Sequence, residues 1–151
     1  MTFTNPSAAE IKALLARAKT IAVVGLSPDP DRPSYSVALY MQRQGYRIVP
    51  VRPGGGALLG EPSYERLADI PFPVDIVDVF RASAHVAAHV GELLALPGKP
   101  ALWLQEGVID EAAAAKAQAA GHLVVMDRCV LKEHRRLRSP APRRGPGPGG
   151  P

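Results

Sequence analysis

The chain has 151 residues, 46% of them hydrophobic, with a single cysteine. That is one ordinary domain able to bury its own core, without an internal disulfide or a cysteine-based zinc site. The formal charge is +4, but residues 132–151 hold six basic side chains against Glu133 and carry +5, leaving residues 1–131 at −1. A basic C-terminus on a near-neutral body argues against a nucleic-acid-binding fold, which places its positive face on the folded domain.

No apolar run nears the about 18 residues of a membrane-spanning helix, and no basic region followed by an apolar stretch opens the chain. The expectation is a soluble, cytoplasmic domain with no membrane partner. Ser7 and Glu10 form a capping-box pattern, so a first helix starts at Ser7 and turns Ile11, Leu14, Leu15 and Ala18 inward. Ile21–Leu26 reads as a strand and is followed by a Pro-rich loop. A helix is expected from Ser34, with Val37, Tyr40 and Met41 on one face and Gly45 as its stop. Tyr46–Val51 is the second strand, 52–56 a glycine loop, and Ser63–Asp69 a short helix. Asp75–Phe80 is the third strand. Ser83 is expected to cap a helix that buries Val86, Val90, Leu93 and Leu94 and ends at Pro97 and Gly98. Ala101–Gln105 is the fourth strand, an alanine-rich helix runs from about Asp110 to Ala120, and His122–Asp127 is the fifth strand. Ser139–Pro151 contains five Pro, four Gly and two Arg, a composition expected to be disordered.

Five short apolar strands separated by helices predict a doubly wound, Rossmann-like α/β domain: a parallel five-stranded sheet with helices on both faces. Ligands of such folds bind beyond the C-terminal ends of the strands, where the strand order reverses. After the first strand, Gly25 permits close backbone approach, Ser27 offers a hydroxyl, Arg32 a guanidinium, and the helix near Ser34 its free amides. These suit a phosphate, although the same loop could merely reverse the chain. Arg52 after the second strand stands where dinucleotide-binding domains hold ribose with an acid. It favours a ligand with an additional phosphate, such as NADP or coenzyme A, over NAD. Phe80 could cover an adenine, and Arg81 and Ser83 could meet phosphate or sugar oxygens. Gln105 and Glu106 add polar groups at the same sheet edge.

Other motifs are missing. There is no Gly-x-Gly-x-x-Gly, no P-loop and no nucleophile-elbow serine. His85 and His89 share a helix without an acid to complete a zinc-protease pattern. His122 reads as structural. Cys129 follows Arg128, a neighbour that can activate a thiol, but its default role is a small core residue.

The stretches Gly25–Tyr35, Val74–Arg81, Leu102–Val108 and Val125–Cys129 resemble the small stand-alone CoA-binding proteins of bacteria. These share the fold of the CoA-binding domain at the N-terminus of the succinyl-CoA synthetase α subunit. The resemblance covers about Ser7 to Leu137 and implies a CoA-binding domain over 7–137, with 139–151 as its tail. It implies CoA phosphates against Gly25, Leu26, Ser27, Pro28 and the helix start at Ser34 and Tyr35. Contacts from Val79, Phe80 and Arg81 are implied as well. The synthetase pattern has Pro-Gly-Lys after the second strand; here the match is Pro53-Gly54-Gly55, so Arg52 or Arg32 would replace the lysine. Ligase chemistry is not implied, because the synthetase's phosphohistidine lies in a second domain that these motifs do not match.

The expected function is binding of coenzyme A or an acyl-CoA as a non-catalytic or regulatory module. An NADP-dependent oxidoreductase or a Cys129-based acyl-CoA enzyme is the alternative. A homodimer or an unidentified protein partner stays open.

Overall fold

The structure is a computed structural model that describes residues 2–138. The expected disordered tail, 139–151, lies outside the described residues. Helix α1 (Ala8–Arg17) opens with the expected capping box. The Ser7 hydroxyl accepts the Glu10 N–H at 3.2 Å, and the Glu10 carboxylate accepts the Ser7 N–H at 3.0 Å. Ser7→Ala is expected to lower unfolding free energy by about 1 kcal/mol, measurable by urea denaturation, because one first-turn donor loses its partner.

Strand β1 (Thr20–Val24) leads to α2 (Pro33–Arg43), then β2 (Arg47–Val51). A two-stranded hairpin follows, β3 (Ala57–Leu58) and β4 (Glu61–Pro62). The remainder alternates: β5 (Ile76–Val79), α3 (Val86–Leu94), β6 (Ala101–Leu104), α4 (Glu111–Ala119), β7 (Val124–Met126) and α5 (Val130–Leu137). The main sheet is five-stranded and parallel in the order β2-β1-β5-β6-β7. Helices α1, α2 and α5 bury one face with Ile21, Val23, Ile76 and Trp103; α3 and α4 bury the other with Ala22, Val24, Val77 and Leu102. The alternation of neighbours between faces is the two-residue period of a strand. Covered on both sides, the strands can be apolar throughout. The expected Rossmann-like architecture is therefore the observed one. The order reverses between β1 and β5, which makes their C-terminal ends the switch point.

Two local expectations are corrected, and one helix adds to them. Ser63–Asp69 is not a helix: only Leu67–Asp69 makes a tight 3₁₀ turn. Tyr64 is extended instead, because its N–H donates to the Pro50 carbonyl and its own carbonyl accepts the Arg52 N–H, each at 2.9 Å along the edge of β2. Ser83 does not cap its helix. Its hydroxyl accepts the Ile109 N–H at 2.9 Å and donates to the Gly107 carbonyl, tying the loop after β6 to the loop after β5. Helix α5 lies beyond what the strand–helix alternation predicts. It docks between α1 and α2, with Val130 fully buried and His134 hydrogen-bonded to the Tyr40 hydroxyl at 3.0 Å. No helix among the described residues is long and apolar enough to cross a membrane.

Candidate functional site

Gly25 is the hinge of the switch point. It follows β1 with φ +85°, donates its N–H to the Val51 carbonyl at 2.9 Å, and passes against the chain leaving β5. A Cβ at this position would stand 2.4 Å from the Phe80 carbonyl oxygen and 2.8 Å from Arg81 Cδ. The sequence therefore needs glycine here for both conformation and contact. The next turn is held from within. The Ser27 N–H donates to the Ser34 hydroxyl at 2.9 Å, the Asp29 N–H to the Ser27 hydroxyl at 3.1 Å, and the Asp31 N–H to the Asp29 carboxylate at 2.9 Å. Pro33 occupies the first position of α2 and has no N–H, while the amides of Tyr35 and Ser36 reach back to the Arg32 carbonyl. Ser34 is thus left as the amide of that first turn without a carbonyl partner.

Two clefts flank this turn. One, about 500 Å³, is lined by Gly25, Leu26, Arg32, Arg52, Pro53, Phe80, Arg81 and His85. The other, about 400 Å³, contains Gly25, Ser27, Arg32, Ser34, Phe80 and Arg81, and extends to Gln105, Glu106 and Cys129. They share Gly25, Arg32, Phe80, Arg81 and Ala82, so they are two halves of one groove across the strand ends. Arg32, Arg52 and Arg81 are in no ion pair among the described residues. Arg52 is held by a 2.6 Å bond from Nη1 to the Gly55 carbonyl. The cationic half of the groove is therefore a field of guanidinium groups without carboxylate partners, suited to a polyanion. Glu106 does not cancel it, because Lys132 Nζ lies 3.0 Å from its carboxylate. That bond and charge raise the Lys132 pKa.

Of the residues singled out from sequence, Gly25, Leu26, Ser27, Arg32, Ser34, Arg52, Pro53, Phe80 and Arg81 are brought together around the groove. Pro28, Tyr35 and Val79 line neither half. Pro28 is exposed, Tyr35 packs partly against the α2 side of the core, and Val79 is buried on the opposite face of the sheet. The far wall is less legible from sequence. Gln105 follows β6, and its Oε1 accepts the Val130 N–H at 3.1 Å. Trp103 Nε1 donates to the Arg128 carbonyl at 2.9 Å, and Asp127 accepts the Gly107 N–H at 2.7 Å. These bonds fix Cys129, the residue before α5, at the groove's end. The sequence carries a signal, a polar residue at one strand terminus and a cysteine after another, but not the distance between them.

Two residues before Phe80, in β5 between Val23 and Trp103, lies Asp78. It is 1% exposed, and Oδ1 has no hydrogen-bond partner. Burial pushes its carboxyl well above the usual carboxylate range. An apolar cleft of about 520 Å³, lined by Leu67, Ile70, Phe72, Val74 and Leu96, opens at the opposite edge of the sheet and has no charged residue in its lining.

Residues 19–135 match the family model described as CoA binding domain. The chain is 43% identical over 130 residues to the uncharacterized protein YneT of Bacillus subtilis (strain 168), covering 86% of this chain and 96% of that protein. Among solved structures it is similar to cell-free ID.343 from Thermus thermophilus, with 44% identity, a TM-score of 0.81, and 87% of this chain and 99% of that one covered. It is likewise similar to a hypothetical protein from Pyrococcus horikoshii OT3, with 33% identity, a TM-score of 0.83, and 92% and 100% covered.

Proposed function

We propose, because the chain belongs to the family of CoA binding domains, that it binds coenzyme A or an acyl-CoA in the groove across the strand ends, as a binding or regulatory module. The observation that carries this reading is the set of Arg32, Arg52 and Arg81, without ion-pair partners among the described residues, around the switch point. The residues fit the ligand's chemistry from end to end. The guanidinium groups and the Ser34 amide would take phosphate oxygens beside Gly25, Leu26 and Ser27. Phe80 would lie against the adenine. Arg52, held beside Pro53, would meet the further phosphate, in place of the lysine that touches CoA in the synthetase pattern. The Gln105 and Cys129 end would receive the pantetheine arm.

Calorimetric titration with CoA, dephospho-CoA, NADP and NAD tests this reading. CoA is expected to bind, and dephospho-CoA more weakly. Arg32→Ala combined with Arg81→Ala should weaken binding by roughly 1.5–3 kcal/mol for each charge-assisted hydrogen bond removed. Arg52→Ala should remove most of the difference between CoA and dephospho-CoA. Preference for NADP, or unchanged CoA affinity in the double variant, would refute the assignment.

A further inference from the structure

We infer that Cys129 is an acyl-acceptor site: with an acyl-CoA in the groove, its thiol takes the acyl group as a thioester while Gln105 holds the carbonyl oxygen. The inference rests on the proposed CoA binding and adds a covalent step to it. Cys129 is the chain's single cysteine and lines the groove, being 8% exposed rather than sealed off.

The second observation is Gln105, which is 4% exposed and also lines the groove. Its carboxamide has one acceptor end and one donor end. The acceptor end is spent on the N–H of Val130, the residue next to Cys129. That bond fixes which end is which, since an N–H can be accepted only by oxygen. The donor end, Nε2, has no partner among the described residues, yet it is not fully enclosed. With its acceptor end spent on the protein and no protein acceptor for Nε2 among the described residues, that amide donor is free to meet an acceptor on a ligand in the groove. The thioester carbonyl oxygen is such an acceptor, and it gains negative charge as a nucleophile adds.

The step balances without any oxidant. Sγ, as the thiolate, attacks the thioester carbonyl carbon and forms the new C–S bond. The C–S bond to CoA breaks, its electron pair leaves on the CoA sulfur, and that sulfur takes up the proton given up by Cys129. A thiol and a thioester yield a thiol and a thioester. The product is one modified chain per acyl-CoA consumed, not turnover.

The test uses the full chain with acetyl-CoA, read by intact mass, with CoA affinity measured in parallel by calorimetry. A single acetyl adduct removed by neutral hydroxylamine is expected, and Cys129→Ser should not form it. Gln105→Glu keeps an acceptor for the Val130 N–H and deletes the donor. It should slow acetylation at least about tenfold, as loss of a carbonyl-oxygen donor does. Binding of acetyl-CoA without a hydroxylamine-labile adduct would overturn this inference and leave the binding reading standing. An adduct that persists in Cys129→Ser would overturn it as well. Absence of any CoA or acetyl-CoA binding would overturn both.

Discussion

Gly25→Ala is expected to lower unfolding free energy by roughly 2–5 kcal/mol and to abolish measurable CoA binding. Two costs add. A left-handed backbone costs an L-residue about 1–2 kcal/mol, and φ at Gly25 is +85°. The new methyl would also stand 2.4 Å from the Phe80 carbonyl oxygen, a backbone atom. Relieving such overpacking typically costs about 1–3 kcal/mol. The strand ends must part to admit it, and those ends carry Arg81 and Phe80 into the groove. Gly60→Ala is the matched control: φ there is +77°, but a Cβ would have nothing within 4 Å. Urea denaturation should show the Gly60 variant losing only the backbone cost. Equal losses in the two variants, or CoA affinity retained in Gly25→Ala, would refute the collision at the switch point.

Asp78→Leu is expected to stabilise the protein, and more at pH 8 than near pH 4: the penalty of an unsatisfied buried polar group, about 1–3 kcal/mol, is removed at both pH values, while the cost of keeping the carboxyl protonated is removed only at the higher one. Asp78 lies between Val23 of β1 and Trp103 of β6 in a sheet buried on both faces. In the unfolded chain its carboxyl ionises near 3.8, whereas burial raises that value in the native protein. Between the two, the native state holds a proton that the unfolded state has released. Stability must therefore fall as pH rises through this window, by at most roughly 1.4 kcal/mol per pH unit, and the contribution is complete only below the unfolded value. Asp78→Asn keeps the volume and removes the ionisation, so it should flatten the same window. The quantity to measure is the difference between variant and parent across pH, which cancels the other carboxylates. A difference that does not vary with pH would show that Asp78 is already neutralised in some other way.

The strands are legible because their apolar runs, such as Ile21–Val24 and Ala101–Leu104, are bounded by Gly, Pro and polar residues. The capping box is legible because it is local, Ser7 and Glu10 acting across one turn. Helix α5 is not, since Lys132–Arg136 reads as a solvated charge run. Its apolar inward contacts are Val130, Leu131 and Leu137, beside the buried Glu133, and α1 and α2 supply the rest of its burial. Ser63–Asp69 misleads for the same reason in reverse, an edge partner in β2 overriding a helix-like composition. At the groove, Gly25, Arg32 and Arg52 can be picked out because they directly follow strands or open a helix. The pairing of Gln105 with the Val130 amide spans 25 residues and depends on how β6 and α5 meet. No local pattern encodes such a contact.

The groove draws its two walls from opposite ends of the chain, Gly25 to Phe80 on one side and Gln105 to Cys129 on the other. During synthesis the first wall leaves the ribosome well before the second, and the second is complete only when α5, the last described element, has docked. A molecule lying in the groove would thus act as a clasp between early and late portions of the polypeptide. Its occupancy would oppose detachment of the C-terminal helix by mass action. The helix whose first amide is held by Gln105 would then be steadied by a filled groove, and in the sequence it continues into the basic C-terminal segment.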